Sequence, residues 1–221
     1  MARRNRHSRS TKSRPQQTRR RQTKRSRVRP ASAHRERTTG ERDYQPEFNA
    51  PEVWYEPSEE TTNDIRYVHF EPGDGFVHPV SIRDIQRRLR DFPKKFLQNV
   101  EVIQLSPMTR KRELFPCYGM QWGTTVYLYP IEESLVEVYS RPPRPQQMID
   151  ARMYGGKWKQ YGNYWELVWS PQAIRDFYLN SILIHEIGHA NDPRNQSYTD
   201  RERFADWFAI EYGYRPSRGR V

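Results

Sequence analysis

His185, Glu186 and His189 form the pattern H-E-x-x-H in the run His185-Glu186-Ile187-Gly188-His189. On a helix, positions i and i+4 lie one turn apart on the same face, so both imidazoles reach a single cation. Glu186 lies beside them, outside the coordination plane. Its carboxylate accepts a proton from a water at the ion's open position, which is the chemistry of metal-assisted hydrolysis. Two imidazoles, a carboxylate and an open position favour zinc, although cobalt, manganese or iron also accept such a set.

A catalytic zinc takes three protein ligands. No histidine follows His189, so the third must be a carboxylate, and the candidates are Asp192, Asp200, Glu202, Asp206 and Glu211. Asp192 is too near along the chain to swing back easily. Glu202 and Asp206 form the better pair, because at i and i+4 they share a helix face with Ala205 and Ala209, whose small side chains let two helices approach closely. Each has a competing explanation. Thr199-Asp200-Arg201-Glu202 reads as a capping box in which the glutamate bonds back to Thr199. Asp206 is within reach of a salt bridge to Arg203.

The elements that must hold these groups follow from local signals. Ser170 caps a helix with Pro171 at its first position, and Ile174, Phe177, Tyr178, Ser181, Ile182, His185 and His189 recur at helical spacing. Upstream, Ile65 to Phe70 reads as a strand, Glu71 to Gly75 as a turn and Phe76 to Val80 as a return strand. Ser81 caps a helix carrying Ile82, Ile85 and Leu89, which Pro93 stops. Phe96 to Leu105, Met120 to Tyr129 and Ser134 to Tyr139 read as strands. Trp158 to Tyr161 and Tyr164 to Trp169 flank Gly162-Asn163, the signature of a type II′ hairpin. His69 and His78 flank the Glu71 to Gly75 turn and read as hairpin or surface residues.

Of the 38 Lys and Arg residues, 15 fall in residues 1–40 against one acid there, Glu36, so this arm carries about +14. The remaining chain has 23 bases and 26 acids and is slightly acidic. Residues 1–45, with His7 and His34 among them, form a low-complexity arm that cannot bury enough apolar surface to offset its ordering entropy, so disorder is expected. Residues 46–62 read as an extended linker that Phe48, Trp54 and Tyr55 are able to pin. The rest, 63–221, suffices for one domain. The arm is an electrostatic footprint for polyanions, including non-specific nucleic acid through residues 1–40, and it has neither aromatics for base stacking nor a helical period for groove reading. The longest apolar runs reach only four residues, as in Val126-Tyr127-Leu128-Tyr129, far short of a membrane span. Cys117 is the only cysteine, so intrachain disulfides and thiolate metal clusters are excluded. A cytoplasmic location is the expectation.

From Pro171 to Gly213 the sequence resembles the gluzincin zinc metallopeptidases, in which a second helix supplies a glutamate ligand and, four residues later, an aspartate that holds a zinc-bound histidine. The resemblance implies His185, His189 and Glu202 as ligands, Glu186 as general base, and Asp206 as the acceptor for His185. It also implies a zincin-like α+β domain, with a small mixed or antiparallel sheet packed on the active-site helix and a C-terminal ligand helix. The activity implied is hydrolysis of a protein or peptide substrate. Arg201 stands where the family usually has asparagine. Tyr198, Tyr212 and Tyr214 are near enough in sequence to aid an oxyanion, and Thr124 to Tyr129 or Tyr164 to Trp169 offers a strand edge for an extended peptide. A second expectation is a polyanion-binding protein whose metal site is structural or inactive.

Overall fold

The computed structural model describes residues 50–57, 64–114 and 116–219. The basic arm expected over 1–45 therefore lies outside the described residues. In chain order the elements are β1 (Arg66–His69), β2 (Phe76–Val77), α1 (Ile82–Arg90), β3 (Val102–Leu105), α2 (Arg110–Leu114), β4 (Gly119–Trp122), β5 (Thr125–Leu128), β6 (Ile131–Glu132), β7 (Val136–Tyr139), α3 (Pro145–Met153), β8 (Lys157–Tyr161), β9 (Tyr164–Val168), α4 (Pro171–Phe177), α5 (Leu183–Ala190), α6 (Tyr198–Ala209) and α7 (Arg215–Ser217). The fold is mixed α+β. None of the described helices is long and apolar enough to cross a membrane.

The main sheet has the order β1-β3-β5-β4, with β1, β3 and β5 parallel and β4 antiparallel to β5. Every residue of β3 and β5 is buried, as parallel strands covered on both faces require. Ile103, Leu105, Val126 and Leu128 enter the core shared with Leu183, Ile184 and Ile187 of α5. Residues 50–57 are tied to the domain. Lys111 donates to the Ala50 carbonyl at 2.6 Å, Thr109 to Glu52 at 2.7 Å, and the Tyr55 hydroxyl to Gln104 at 2.9 Å. Tyr55 thus pins this stretch, whereas Trp54 is 56% exposed.

The pairings correct two strand expectations. Ile65 to Val80 is not a hairpin: β1 pairs with β3, and β2 pairs instead with β6. Met120 to Tyr129 is not one strand but a tight hairpin, because Gly123 turns at φ +58° and sets Trp122 opposite Thr125. Of the expected strand Phe96 to Leu105, only Val102–Leu105 is extended, and Lys94–Phe96 is a 3₁₀ turn.

A second sheet, β7-β9-β8, is antiparallel, and the Gly162-Asn163 hairpin forms as the spacing predicts, with Gly162 at φ +58°. Inside it, the Glu137 carboxylate accepts from the Tyr118 hydroxyl at 2.7 Å, the Trp169 indole at 3.1 Å and the Tyr139 hydroxyl at 3.3 Å.

Helices α4 and α5 form one continuous rod interrupted by a π-helical turn, Tyr178–Ile182, and α6 runs into a second π turn, Ile210–Tyr214. A π turn displaces carbonyls from the α ladder, and those groups need other partners. Here the two turns face each other. The Asn180 carbonyl accepts from the Tyr154 hydroxyl at 2.9 Å, while Arg88 of α1 donates to the Asn180 side chain at 2.6 Å and to the Tyr212 carbonyl at 2.7 Å. The contact requires glycine at 213, where an added Cβ would fall 2.0 Å from the Asn180 oxygen.

Candidate metal centre

The active-helix spacing predicted from sequence places His185, Glu186 and His189 on α5, held by its packing on β4, β5 and α6. Gly188 permits the close approach of α6, since a Cβ there would meet Ala205 Cα at 3.2 Å and Phe208 Cβ at 3.1 Å. Ala205 and Ala209 are buried at that interface, as their size suggested, and Phe208 fills the core beside them. Trp207 points away from that interface and is 49% exposed.

The cap of α6 decides the competing explanation for Glu202. Ser197, not Thr199, is the N-cap: its hydroxyl accepts the Asp200 N–H at 3.2 Å and lies 2.7 Å from the Asp200 carboxylate. Starting the helix at Ser197 places Thr199 inside the first turn and leaves Glu202 out of the cap. Its carboxylate instead faces the histidines, with Oε1 at 3.3 Å from His189 Nε2 and Oε2 at 3.6 Å from His185 Nε2. The two Nε2 atoms are 3.1 Å apart. Three ligands at about 2.0–2.1 Å from a tetrahedral zinc are separated from one another by about 3.3 Å. The 3.1 Å between the two Nε2 atoms is close to that spacing, each imidazole meets a different oxygen of Glu202, and one ligand atom from each of the three residues lies within 4.8 Å of the others.

Asp206 lies one turn beyond Glu202 and accepts from His185 Nδ1 at 3.1 Å. The Arg203 bridge does not compete, because Arg203 lies 3.4 Å from Asp200. An acceptor on Nδ1 fixes the tautomer that turns Nε2 towards His189 and Glu202. The other carboxylate candidates are engaged elsewhere. Asp192 closes its own turn by accepting from Asn195, and Glu211 pairs with Arg215 at 2.5 Å.

The electrostatics follow from a confined charge cluster. Burial pulls His185 down, but the carboxylates of Asp206, Glu202 and Glu186 outweigh it and lift the metal-free imidazole to about 10. Burial pushes Glu202 up, and its contacts to both histidines reverse this and hold it far below the usual carboxylate range. Glu186 is 7% exposed. Burial raises its pKa despite the two histidines, and it accepts the Gln121 backbone N–H.

Three features of the site were not expected from the sequence as site features. Asp150 of α3 is pushed up to about 6, first by burial and then by the charge of Asp206; it lies 35 positions before His185, outside any motif spacing. Gly119 of β4 lets the edge strand close over Glu186, since a Cβ would meet Glu186 Oε1 at 2.8 Å and Ile182 at 2.7 Å. Arg201 reaches from α6 to the Gln121 side chain at 3.4 Å, and its Nε is buried without a partner. Of the tyrosines considered for an oxyanion, Tyr212 and Tyr214 pack against the core, and Tyr198 is 40% exposed at the start of α6.

The strands considered for peptide docking are corrected as well. β5 lies between β3 and β4, and β9 between β7 and β8, so neither has an open edge. The edge beside α5 is β4. His69 and His78 remain apart from the centre; their rings lie 5.5 Å from each other, and His78 Nε2 is 2.9 Å from the Phe70 carbonyl.

No protein-family model matches the chain, and no curated protein or solved structure matches it.

Proposed function

We propose that this chain is a zinc-dependent peptide hydrolase with a zincin-like domain of gluzincin type. The carrying observation is the convergence of His185, His189 and Glu202, one ligand atom of each within 4.8 Å of the others, with Glu186 buried at their side. A bound zinc would polarise the scissile carbonyl and lower the pKa of water to near 7. Glu186 removes the proton from the attacking water and delivers it to the leaving amine, a role favoured by a carboxyl whose proton affinity burial has raised. The Gln121 N–H orients that carboxylate. Asp206 holds His185 in its ligating tautomer. The β4 edge receives an extended peptide by main-chain pairing, and Arg201 is the cationic donor on the α6 side of the same cleft. A cytoplasmic site of action accords with a single cysteine.

The test begins with metal content. Full-length chain purified without chelator binds about one zinc, Glu202→Ala loses it and Asp192→Ala keeps it; elemental analysis reads the result. Absence of metal even after zinc is supplied would refute the reading. The arm, with its charge of about +14, favours one alternative, a polyanion-binding protein with a structural or inactive metal site. Glu186→Gln separates the two, because a purely structural site does not require that acid.

A further inference from the structure

The arm has the charge for a nucleic-acid contact but no aromatic residue in positions 1–40. The folded domain carries the missing group on the β8–β9 hairpin. Register pairs Tyr161 with Tyr164, Lys159 with Glu166 and Lys157 with Val168. Side chains alternate across a strand, so Lys157, Lys159, Tyr161, Tyr164 and Glu166 share one face. The two tyrosine rings stack on each other, with centroids 5.6 Å apart and planes at 21°. They remain 44% and 37% exposed, and both lysines are exposed.

The opposite face makes this a fixed platform. Trp158, Trp165 and Leu167 pack on the core there, with the Trp158 ring 5.0 Å from Tyr139. The tyrosines therefore cannot turn inward without displacing that face, and the hairpin already has its hydrophobic anchor without them. A cross-strand tyrosine pair adds stability to a hairpin, as does Glu166 opposite Lys159, but neither accounts for exposed Lys157, whose cross-strand partner is the apolar Val168.

We infer that this face binds single-stranded nucleic acid. Bases extend the Tyr161–Tyr164 stack, and Lys157 and Lys159 neutralise the adjoining phosphates. Single strands are selected because bases in a duplex are already stacked and closed to the platform. The site shares no residue with the metal centre, so it stands whether or not the chain is a hydrolase.

Fluorescence anisotropy of the full chain with a labelled oligothymidylate of about 15 nucleotides tests this. Tyr161→Ser with Tyr164→Ser weakens binding by about tenfold or more, without changing its salt slope or its affinity for an abasic strand of equal length. Tyr161→Phe with Tyr164→Phe retains the affinity, because the rings remain. Lys157→Gln with Lys159→Gln lowers the salt slope by about 1.4, two single-strand phosphate contacts. Near-ultraviolet circular dichroism from Trp158 and Trp165 verifies that the hairpin stays folded in each variant. Equal affinity of the serine variant and parent would overturn the proposal and leave the arm as the whole contact. So would parent binding to the abasic strand or to a duplex as tightly as to oligothymidylate.

Discussion

Glu137 and Glu186 are both buried glutamates, 1% and 7% exposed, in neighbouring parts of one domain, yet their surroundings are opposite. Glu137 is met by two hydroxyls and an indole N–H, all donors to a carboxylate. Glu186 receives the Gln121 N–H and lies against a glycine, beside two histidines committed to Glu202 and Asp206. Surrounding a buried carboxylate with donors makes it part of the framework. Leaving it under-solvated raises its proton affinity and keeps it available for proton transfer. The two are also connected, since Tyr118, which donates to Glu137, directly precedes Gly119, the residue that lets β4 close over Glu186.

The same substitution at the two sites should therefore separate chemistry from stability. Glu186→Gln lowers peptide hydrolysis by about a thousandfold, within the range for losing a general base, while zinc content is unchanged. Its melting temperature stays level or rises, because a desolvated charge has been removed. Glu137→Gln does the reverse and costs about 3 kcal/mol of stability, read by denaturant unfolding, with zinc still bound by the folded fraction. Equal destabilisation by the two substitutions would erase the distinction.

Asp206→Asn sharpens the comparison within the metal centre. It should weaken zinc binding by about 10–100-fold, measured in competition with a chromogenic chelator, while the melting temperature of the metal-free chain changes less than in Glu137→Gln. A last effect concerns pH. The folded, metal-free His185 pKa is raised from 6.5 to about 10. The stability it contributes is fully present below 6.5 and is lost as pH rises through about 10. Melting temperatures of the metal-free chain should decline across that window. Zinc, which binds the neutral imidazole, should remove the decline.

The helices of the site were legible because their signals are local. Ser170 with Pro171 fixed one start, and apolar spacing placed His185 and His189 on one face. The cap of α6 was misread because Ser197 and Thr199 both qualify, and only the helix start distinguishes them. The sheet was less legible because parallel pairing joins residues far apart, so β1 finds β3 rather than the neighbouring β2. Gly123-Thr124 has the same glycine-first signature as Gly162-Asn163, but strand-forming residues on both sides hid it, and the β4 edge with it. Asp150 and the two π turns leave no periodic trace. Both depend on contacts made only after the helices pack.

The junction between those π turns sets how the metal would arrive. Arg88, Tyr154 and Gly213 bind the rod carrying the histidines to the helix carrying Glu202 through contacts that involve no ligand atom. If the proposed site holds zinc, its ligands would sit on helices whose junction does not itself depend on the metal, unlike those of small zinc domains that fold only around their metal. Zinc uptake would then be a simple capture step, its rate set by diffusion and by displacement of the proton on His185 rather than by chain ordering.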